Sequence, residues 1–324
     1  MSLNLINPKN NLPLHSVRGQ MLVDMQGNFF PIVNGVPRIA HLNNYATNFG
    51  VQWNKFDKTQ LDRDGDGLVL SRKRFFVETG WAAHDLNKKD ILEVGSGAGR
   101  FSKVLLEHTN AQLYSIDYSD AVTANFKNNG EIAPDRFHLY QASIYEIPFL
   151  DNSFDKVFCL GVLQHTPNFQ LSVQSLIRKA KPGGEIVVDF YPIKGWWTMV
   201  HAKYILRPLT KRLTHDMLFN LINKNIDWLI NVSKLFNKIG LSILTRFLPL
   251  VDLRTIPLNL LTEAQLREWV ILDTFDMFSP EHDHPHRIEA VAEMFRRCGA
   301  KVTFSGFIEY EPGLKAAVVR GIKE

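Results

Sequence analysis

The chain has 324 residues, 22% of them charged, and a formal net charge of +4. That length can bury a full core and still leave room for an appendage, while so small a basic excess is a poor electrostatic footprint for nucleic acid, so no nucleic-acid partner is expected. Two cysteines give no disulfide framework, the amino-terminal MSLNLINPKNNLPLHS lacks a charged start followed by an apolar run, and no apolar window reaches the roughly 18 residues that span a bilayer. The expectation is a cytoplasmic protein with no transmembrane segment.

Residues 1–42 read as a small β-rich piece. Met21 to Met25 and Asn28 to Val33 are predicted strands joined at Gln26-Gly27, and Asn34-Gly35 is a second turn. Residues 43–84 form a helical connector in which Tyr45, Phe49, Trp53 and Phe56 recur at helical spacing, which predicts an amphipathic face packed on the core. Inside it, Asp62-Arg-Asp-Gly-Asp-Gly67 imitates the first half of an EF-hand loop. Lys73 stands where the bidentate glutamate belongs, so the segment reads as a solvated turn.

The run from Asp90 to Val94 predicts a buried parallel strand that feeds Gly95, Gly97 and Gly99 and then a helix marked by Phe101, Val104 and Leu105. Asp117 closes a second strand, Leu113 to Ile116, at the spacing where an acid holds ribose hydroxyls. A dinucleotide fingerprint would have its third glycine where this chain has Arg100, and no GxxxxGK[ST] is present, so the cradle is not one for a pyrophosphate. Further along come Ala142-Ser-Ile-Tyr-Glu-Ile-Pro-Phe149, Asn152 to Phe158, Gly161-Val-Leu-Gln-His165, and Lys181-Pro-Gly-Gly184 before the strand Glu185 to Phe190. A late helix, Glu289 to Arg297, precedes two strands, Val302 to Phe307 and Ala316 to Arg320, joined through Glu311-Pro-Gly313. Alternation of this kind predicts an α/β, doubly wound sheet.

In this order the motifs resemble the class I S-adenosylmethionine-dependent methyltransferases, with a core like methyltransferase type 11. The family pattern [D/E]xGxGxG is matched by Glu93, Gly95, Gly97 and Gly99. The resemblance implies a seven-stranded Rossmann-like sheet with one antiparallel strand, S-adenosylmethionine as cofactor and S-adenosylhomocysteine as product. It divides the chain into a catalytic domain over 85–192 and 261–324 and an insertion over 193–260. It also implies Glu93, Gly95, Ser96, Gly97 and Gly99 at the first cofactor turn, Asp117 on the ribose hydroxyls, Tyr118 and Ile144 against adenine, and Gly161 beside the methionine part. Ser143, near the adenine amino group, stands where the family often has an acid. Phe30 to Arg38 resembles the end of the zinc-ribbon-like domains related to tRNA methyltransferase activators; no cysteine precedes Cys159, so this segment reads as a zinc-less lid or docking platform. Gln52-Trp-Asn-Lys-Phe56 and the stretch from Leu272-Asp-Thr-Phe-Asp276 to His286 extend the likeness over nearly the full length outside the insertion.

The insertion carries the charge: from Lys194 to Arg246 there are nine basic residues and two acids. It reads as a helical cap, as a lid for an anionic small-molecule acceptor, or as a surface for peripheral membrane contact. Gln52, Trp53, Arg74, Tyr191 and Trp196 are the candidates for acceptor binding. For a hydroxyl acceptor a base is needed, and His165, His284 and His286 are the candidates, imidazole being the side chain that titrates nearest neutral pH. No metal is expected, because Pro285 breaks a helical His spacing and there is no HExxH or paired CxxC. The expected reaction is methyl transfer to an oxygen of a small, anionic or sugar-like acceptor. Transfer to nitrogen or carbon, and a cofactor-binding partner subunit without catalysis, are the alternatives.

Overall fold

The computed structural model describes residues 3–40, 44–63 and 68–324. Four short strands, β1 (His15–Val17), β2 (Met21–Val23), β3 (Phe29–Val33) and β4 (Val36–Pro37), form an antiparallel sheet in chain order. β2 stops before Met25 because Asp24 leaves the ladder and gathers the turns around its carboxylate. The side chains of Asn7, Asn10 and Asn28 and the backbone N–H groups of Gln26 and Asn28 all donate to it. Although burial opposes it, those bonds hold Asp24 well below the usual carboxylate range. The small sheet is joined to the larger one: the N–H groups of Ile39 and Ala40 donate to the Gln141 carbonyl at 2.8 and 3.0 Å, and Arg38 pairs with Asp120 at 2.9 Å.

The larger sheet has seven strands, β5 (Asp90–Val94), β6 (Gln112–Asp117), β7 (Phe137–Gln141), β8 (Phe154–Cys159), β9 (Ala180–Phe190), β10 (Ala300–Glu311) and β11 (Leu314–Lys323), in the order β10-β11-β9-β8-β5-β6-β7. Neighbours among β5 to β9 run parallel, and β11 lies antiparallel between β9 and β10. This is the doubly wound α/β sheet that the motif order predicts. Successive residues of each strand enter opposite cores. Ile91, Leu113, Phe158 and Val187 pack with α2 (Leu70–Thr79) and α3 (Arg100–His108), whereas Leu92, Tyr114, Val157 and Val188 pack with α5 (Phe169–Lys179) and α9 (Ile288–Arg297). α4 (Val122–Asn129) completes the crossover between β6 and β7.

A third core lies above the carboxyl ends of the parallel strands. α1 (Thr47–Lys55), α6 (Ala202–Thr210), α7 (His215–Lys238) and α8 (Glu263–Phe278) build it, with Leu218, Ile222, Ile226, Leu229 and Ile230 of α7 packed on Val270, Leu272 and Phe275 of α8. Both long helices are capped: the Thr214 hydroxyl accepts from Met217 N–H, and Thr262 and Gln265 close a capping box. Asp62 caps α2, its carboxylate accepting the N–H groups of Ser71 and Arg72 at 2.7 Å each. The remainder of the EF-hand-like run, 64–67, lies outside the described residues.

Candidate functional site

A cavity of about 740 Å³ lies between the carboxyl ends of β5, β6, β8 and β9 and the cap built by α1, α6 and α8. Ligands of doubly wound sheets collect at this edge, and the volume is within the usual range for ligand clefts. One side of the cavity is the turn after β5. Gly95 adopts φ +84°, and a Cβ there would meet Val162 Cγ2 at 2.3 Å, so only glycine lets Val162 close over the turn. Gly97 N–H donates to Asp117 Oδ2 at 2.8 Å, while Asp117 Oδ1 accepts the Ser119 N–H and hydroxyl at 2.8 and 2.7 Å. Burial raises the Asp117 carboxyl above its ordinary value despite these bonds. Ser96, Tyr118, Ile144 and Gly161 also line the cavity.

Other residues of the same motifs stand behind the turn. The Glu93 side chain accepts the hydroxyls of Ser102 (2.5 Å) and Ser115 (2.7 Å) and ties α3 to β6; burial pushes its carboxyl up to about 7. Gly99 begins α3 at φ +86°, where a Cβ would sit 2.1 Å from Asn125 Oδ1; its requirement is helix packing. The Ser143 hydroxyl accepts Tyr145 N–H at 3.2 Å. Glu93, Gly99 and Ser143 therefore do not line the cavity, although their neighbours do.

The opposite side joins His165 to a set of acids. His165 is buried, its Nδ1 lies 3.2 Å from the His282 carbonyl, and its Nε2 lies 3.8 Å from Asp276 Oδ2, to which Tyr191 donates its hydroxyl at 3.0 Å. A carbonyl only accepts, so Nδ1 carries the proton of the neutral ring and Nε2 presents its lone pair. Burial lowers the His165 pKa, outweighing Asp276, which raises it. Asp273 accepts from Gln60 at 3.0 Å and Trp269 at 2.9 Å, and burial, then Asp276, pushes it up to about 7. Arg74 joins Glu78 to Asp189, which also accepts Gly161 N–H. Among the described residues Arg100 donates to neutral oxygens, Gln60 Oε1 at 2.7 Å and Ser71 Oγ at 3.2 Å, and burial lowers its pKa to about 10.

Three lining side chains hold buried polar atoms that have no partner among the described residues: Gln52 Oε1, Ser96 Oγ, and both amide atoms of Gln164. Leaving such an atom unmet costs about 1–3 kcal/mol, so the cavity wall is shaped for a polar ligand. In the sequence Gln164 stands out only by its place beside His165 in Gly161-Val-Leu-Gln-His165.

The cap corrects several expectations. Tyr45, Phe49, Trp53 and Phe56, read as a core face, also line the cavity, although Phe56 is buried in the cap core and Trp53 packs on it; Gln52, an acceptor-binding candidate like Trp53, lines it too. Trp196 is 69% exposed and stacks on Trp197 at 4.0 Å; of these two, Trp197 lines the cavity. His284 and His286 lie outside it. Their segment acts through its backbone, with His284 N–H donating to the Gln164 carbonyl at 2.7 Å and His286 pairing with Pro192, while the His286 ring stacks on Phe169 at 4.1 Å.

Residues 92–188 match the family model described as a methyltransferase domain. Among curated proteins, the chain is 28% identical over 130 residues to a tRNA U34 carboxymethyltransferase from Nautilia profundicola, covering 37% of this chain and 43% of that one. It is 31% identical over 135 residues to a ubiquinone biosynthesis O-methyltransferase from Coxiella burnetii, covering 40% and 56%. The chain thus spans about half the length of the curated relatives it matches. A solved structure of magnesium protoporphyrin IX methyltransferase from Synechocystis PCC 6803 with bound SAH overlaps loosely, at a TM-score of 0.46 and 14% identity over 86% of this chain and 97% of that one. The exclusion of nucleic acid does not survive the tRNA-modifying relative. Its premise was the whole-chain charge, which conceals the nine basic residues gathered between Lys194 and Arg246. Among the described residues no helix is long and apolar enough to cross a membrane.

Proposed function

We propose that this chain, which carries a class I S-adenosylmethionine-dependent methyltransferase domain, transfers a methyl group to a hydroxyl oxygen of a small acceptor held under the helical cap. The observation that carries the reading is one cavity that joins the turn at Gly95–Gly97 and Asp117 to the His165–Asp276 pair. S-adenosylmethionine, when bound, supplies a methyl group already activated on a sulfonium. Asp117 holds ribose hydroxyls, Tyr118 and Ile144 flank the adenine, the Ser96 hydroxyl and Gln164 amide take polar groups of the cofactor, and Arg100, which has no carboxylate hydrogen-bond partner among the described residues, receives its carboxylate. Gln52, Trp53, Arg74 and Tyr191 border the acceptor.

The chemical work left to the protein is aim and proton removal. His165 Nε2 takes the acceptor proton, the lowered pKa keeps the ring neutral and receptive near pH 7, and Asp276 stabilises the imidazolium that results. A neutral amine can attack first and shed its proton afterwards, so a base in the cavity favours transfer to oxygen over transfer to nitrogen. The free thiols of Cys159 and Cys298 support a reducing, cytoplasmic setting. An RNA acceptor is the second reading, favoured by the tRNA U34 carboxymethyltransferase relative.

The test supplies labelled S-adenosylmethionine with either a metabolite extract or a tRNA pool and follows S-adenosylhomocysteine. Product in the extract supports the first reading and product on tRNA the second; cofactor binding without turnover in either supports a non-catalytic subunit. With the acceptor in hand, the single-turnover rate should rise with pH to a plateau with a midpoint below the ordinary histidine value. His165→Ala should lower the plateau by about 100-fold or more. An unchanged rate removes His165 from the chemistry.

A further inference from the structure

The insertion has a second apolar face that the fold does not use. On α7, the side chains packed inward are Leu218, Ile222, Ile226, Leu229 and Ile230. Met217, Leu221, Trp228 and Leu235 are each more than half exposed, and at 3.6 residues per turn they fall within an arc of about 40° on the solvent side. The exposed apolar surface continues beyond the helix through Ile239, Ile243 and Phe247. Arg246 ties that end to the segment bearing Trp196 and Met199 by donating to the carbonyls of Val200, at 2.7 Å, and Trp197. A stripe this extensive exceeds the scattered apolar exposure of an ordinary surface.

Cations surround it. Lys194, Lys211, Arg212, Lys224, Lys234 and Lys238 are exposed and have no carboxylate partner among the described residues. The face also borders the cavity: Lys194 and the half-exposed Trp197 line the cavity and reach solvent at its rim.

We propose that this outer face of the insertion docks on a lipid bilayer carrying anionic headgroups and sets the rim of the cavity against the membrane. The pattern of charge selects that occupant. For a second copy of the chain packed along α7 as a coiled coil, Leu221, Trp228 and Leu235 would need an apolar companion row; three residues on from each stand Lys224, Asn231 and Lys238, and four residues on stand Asn225, Val232 and Ile239, the first polar and the last past the helix end. A nucleic acid would use the cations but leave the methionine, leucines and isoleucines facing phosphate. At a bilayer the apolar chains enter the acyl boundary, tryptophan sits at the headgroup level, and lysines within the stripe extend to the phosphates. An acceptor reaching the cavity from this side is an amphiphile drawn from the membrane. That consequence rests on the proposed methyl transfer; the docking does not.

The test is flotation of the full chain with vesicles of phosphatidylcholine alone or with 30% phosphatidylglycerol (about a third of the lipid anionic, a cytoplasmic-leaflet-like charge). The chain should float with the anionic vesicles and stay behind with the neutral ones. K224Q/K234Q/K238Q should weaken vesicle binding about 100-fold, and W228S/L235S should weaken it at unchanged melting temperature, since both residues lie outside the packed face. Failure of the full chain to float with anionic vesicles overturns the proposal. So does vesicle binding that neither variant changes, or self-association in sedimentation that W228S/L235S abolishes, or tight binding of tRNA that outcompetes the vesicles. None of these readouts requires turnover, so failure of the methyl-transfer reading would leave them intact.

Discussion

Asp117 offers the most direct trial of the cofactor cradle. A carboxylate has about four acceptor positions. Three are taken inside the protein, by Gly97 N–H and by the N–H and hydroxyl of Ser119. One is left for a ribose hydroxyl, and a hydrogen bond to a charged acceptor contributes about 1.5–3 kcal/mol. Asp117→Ala should therefore weaken S-adenosylhomocysteine binding by about 10- to 100-fold in calorimetry. The same substitution frees the glycine turn, so affinity alone would not distinguish a lost ligand contact from a loosened loop. Comparing adenosine with 2′-deoxyadenosine does so, because only a direct contact makes the native protein prefer the hydroxyl and the variant indifferent to it. Ser119→Ala, which removes one internal donor and leaves the carboxylate, should keep the preference. If Asp117→Ala retains the native discrimination, the carboxylate only braces the loop and the assignment to ribose is wrong.

Glu93 should control stability rather than binding. Its folded-state carboxyl is raised from 4.5 to about 7 by burial. Between those values the native state holds a proton that the unfolded chain has released, so stability falls as pH rises through that window, by roughly 3 kcal/mol in full. Glu93→Gln should flatten urea-derived stability between pH 5 and pH 8, and a slope equal to the parent's would refute the burial argument. Gly95→Ala combines a φ of +84° with a Cβ 2.3 Å from Val162; it should lower the melting temperature and abolish cofactor binding. Adding Val162→Ala should restore part of the melting temperature, since it relieves the clash but not the backbone strain. Full recovery of both properties would show the conformation to be unstrained.

What was legible in the chain was set by local chemistry, and what was not depended on which side of a surface a residue occupies. The turn at Gly95–Gly97 and the acid at Asp117 could be read because a tight strand-to-helix turn needs glycine and a carboxylate at the end of the next strand follows at fixed spacing. The same spacing could not say that Glu93 and Gly99 serve packing behind that turn, since a strand alternates its faces whatever lies beyond them. Tyr45, Phe49, Trp53 and Phe56 show the complementary ambiguity: an aromatic stripe at helical spacing marks an apolar environment, and a ligand cavity under a cap is as apolar as a core. The histidines after Pro280 suggested imidazole chemistry, yet the main chain of that segment is what it contributes, receiving or supplying the bonds that hold Gln164 and His165. Composition gave no hint of that, because backbone groups are common to every residue. His165 is distinguished only by what the fold brings to it from 111 residues further along the chain, Asp276, at 3.8 Å from its Nε2. A candidate base is thus recognisable from sequence as a residue type, but the acid beside it becomes visible only when α8 is laid over the end of β8.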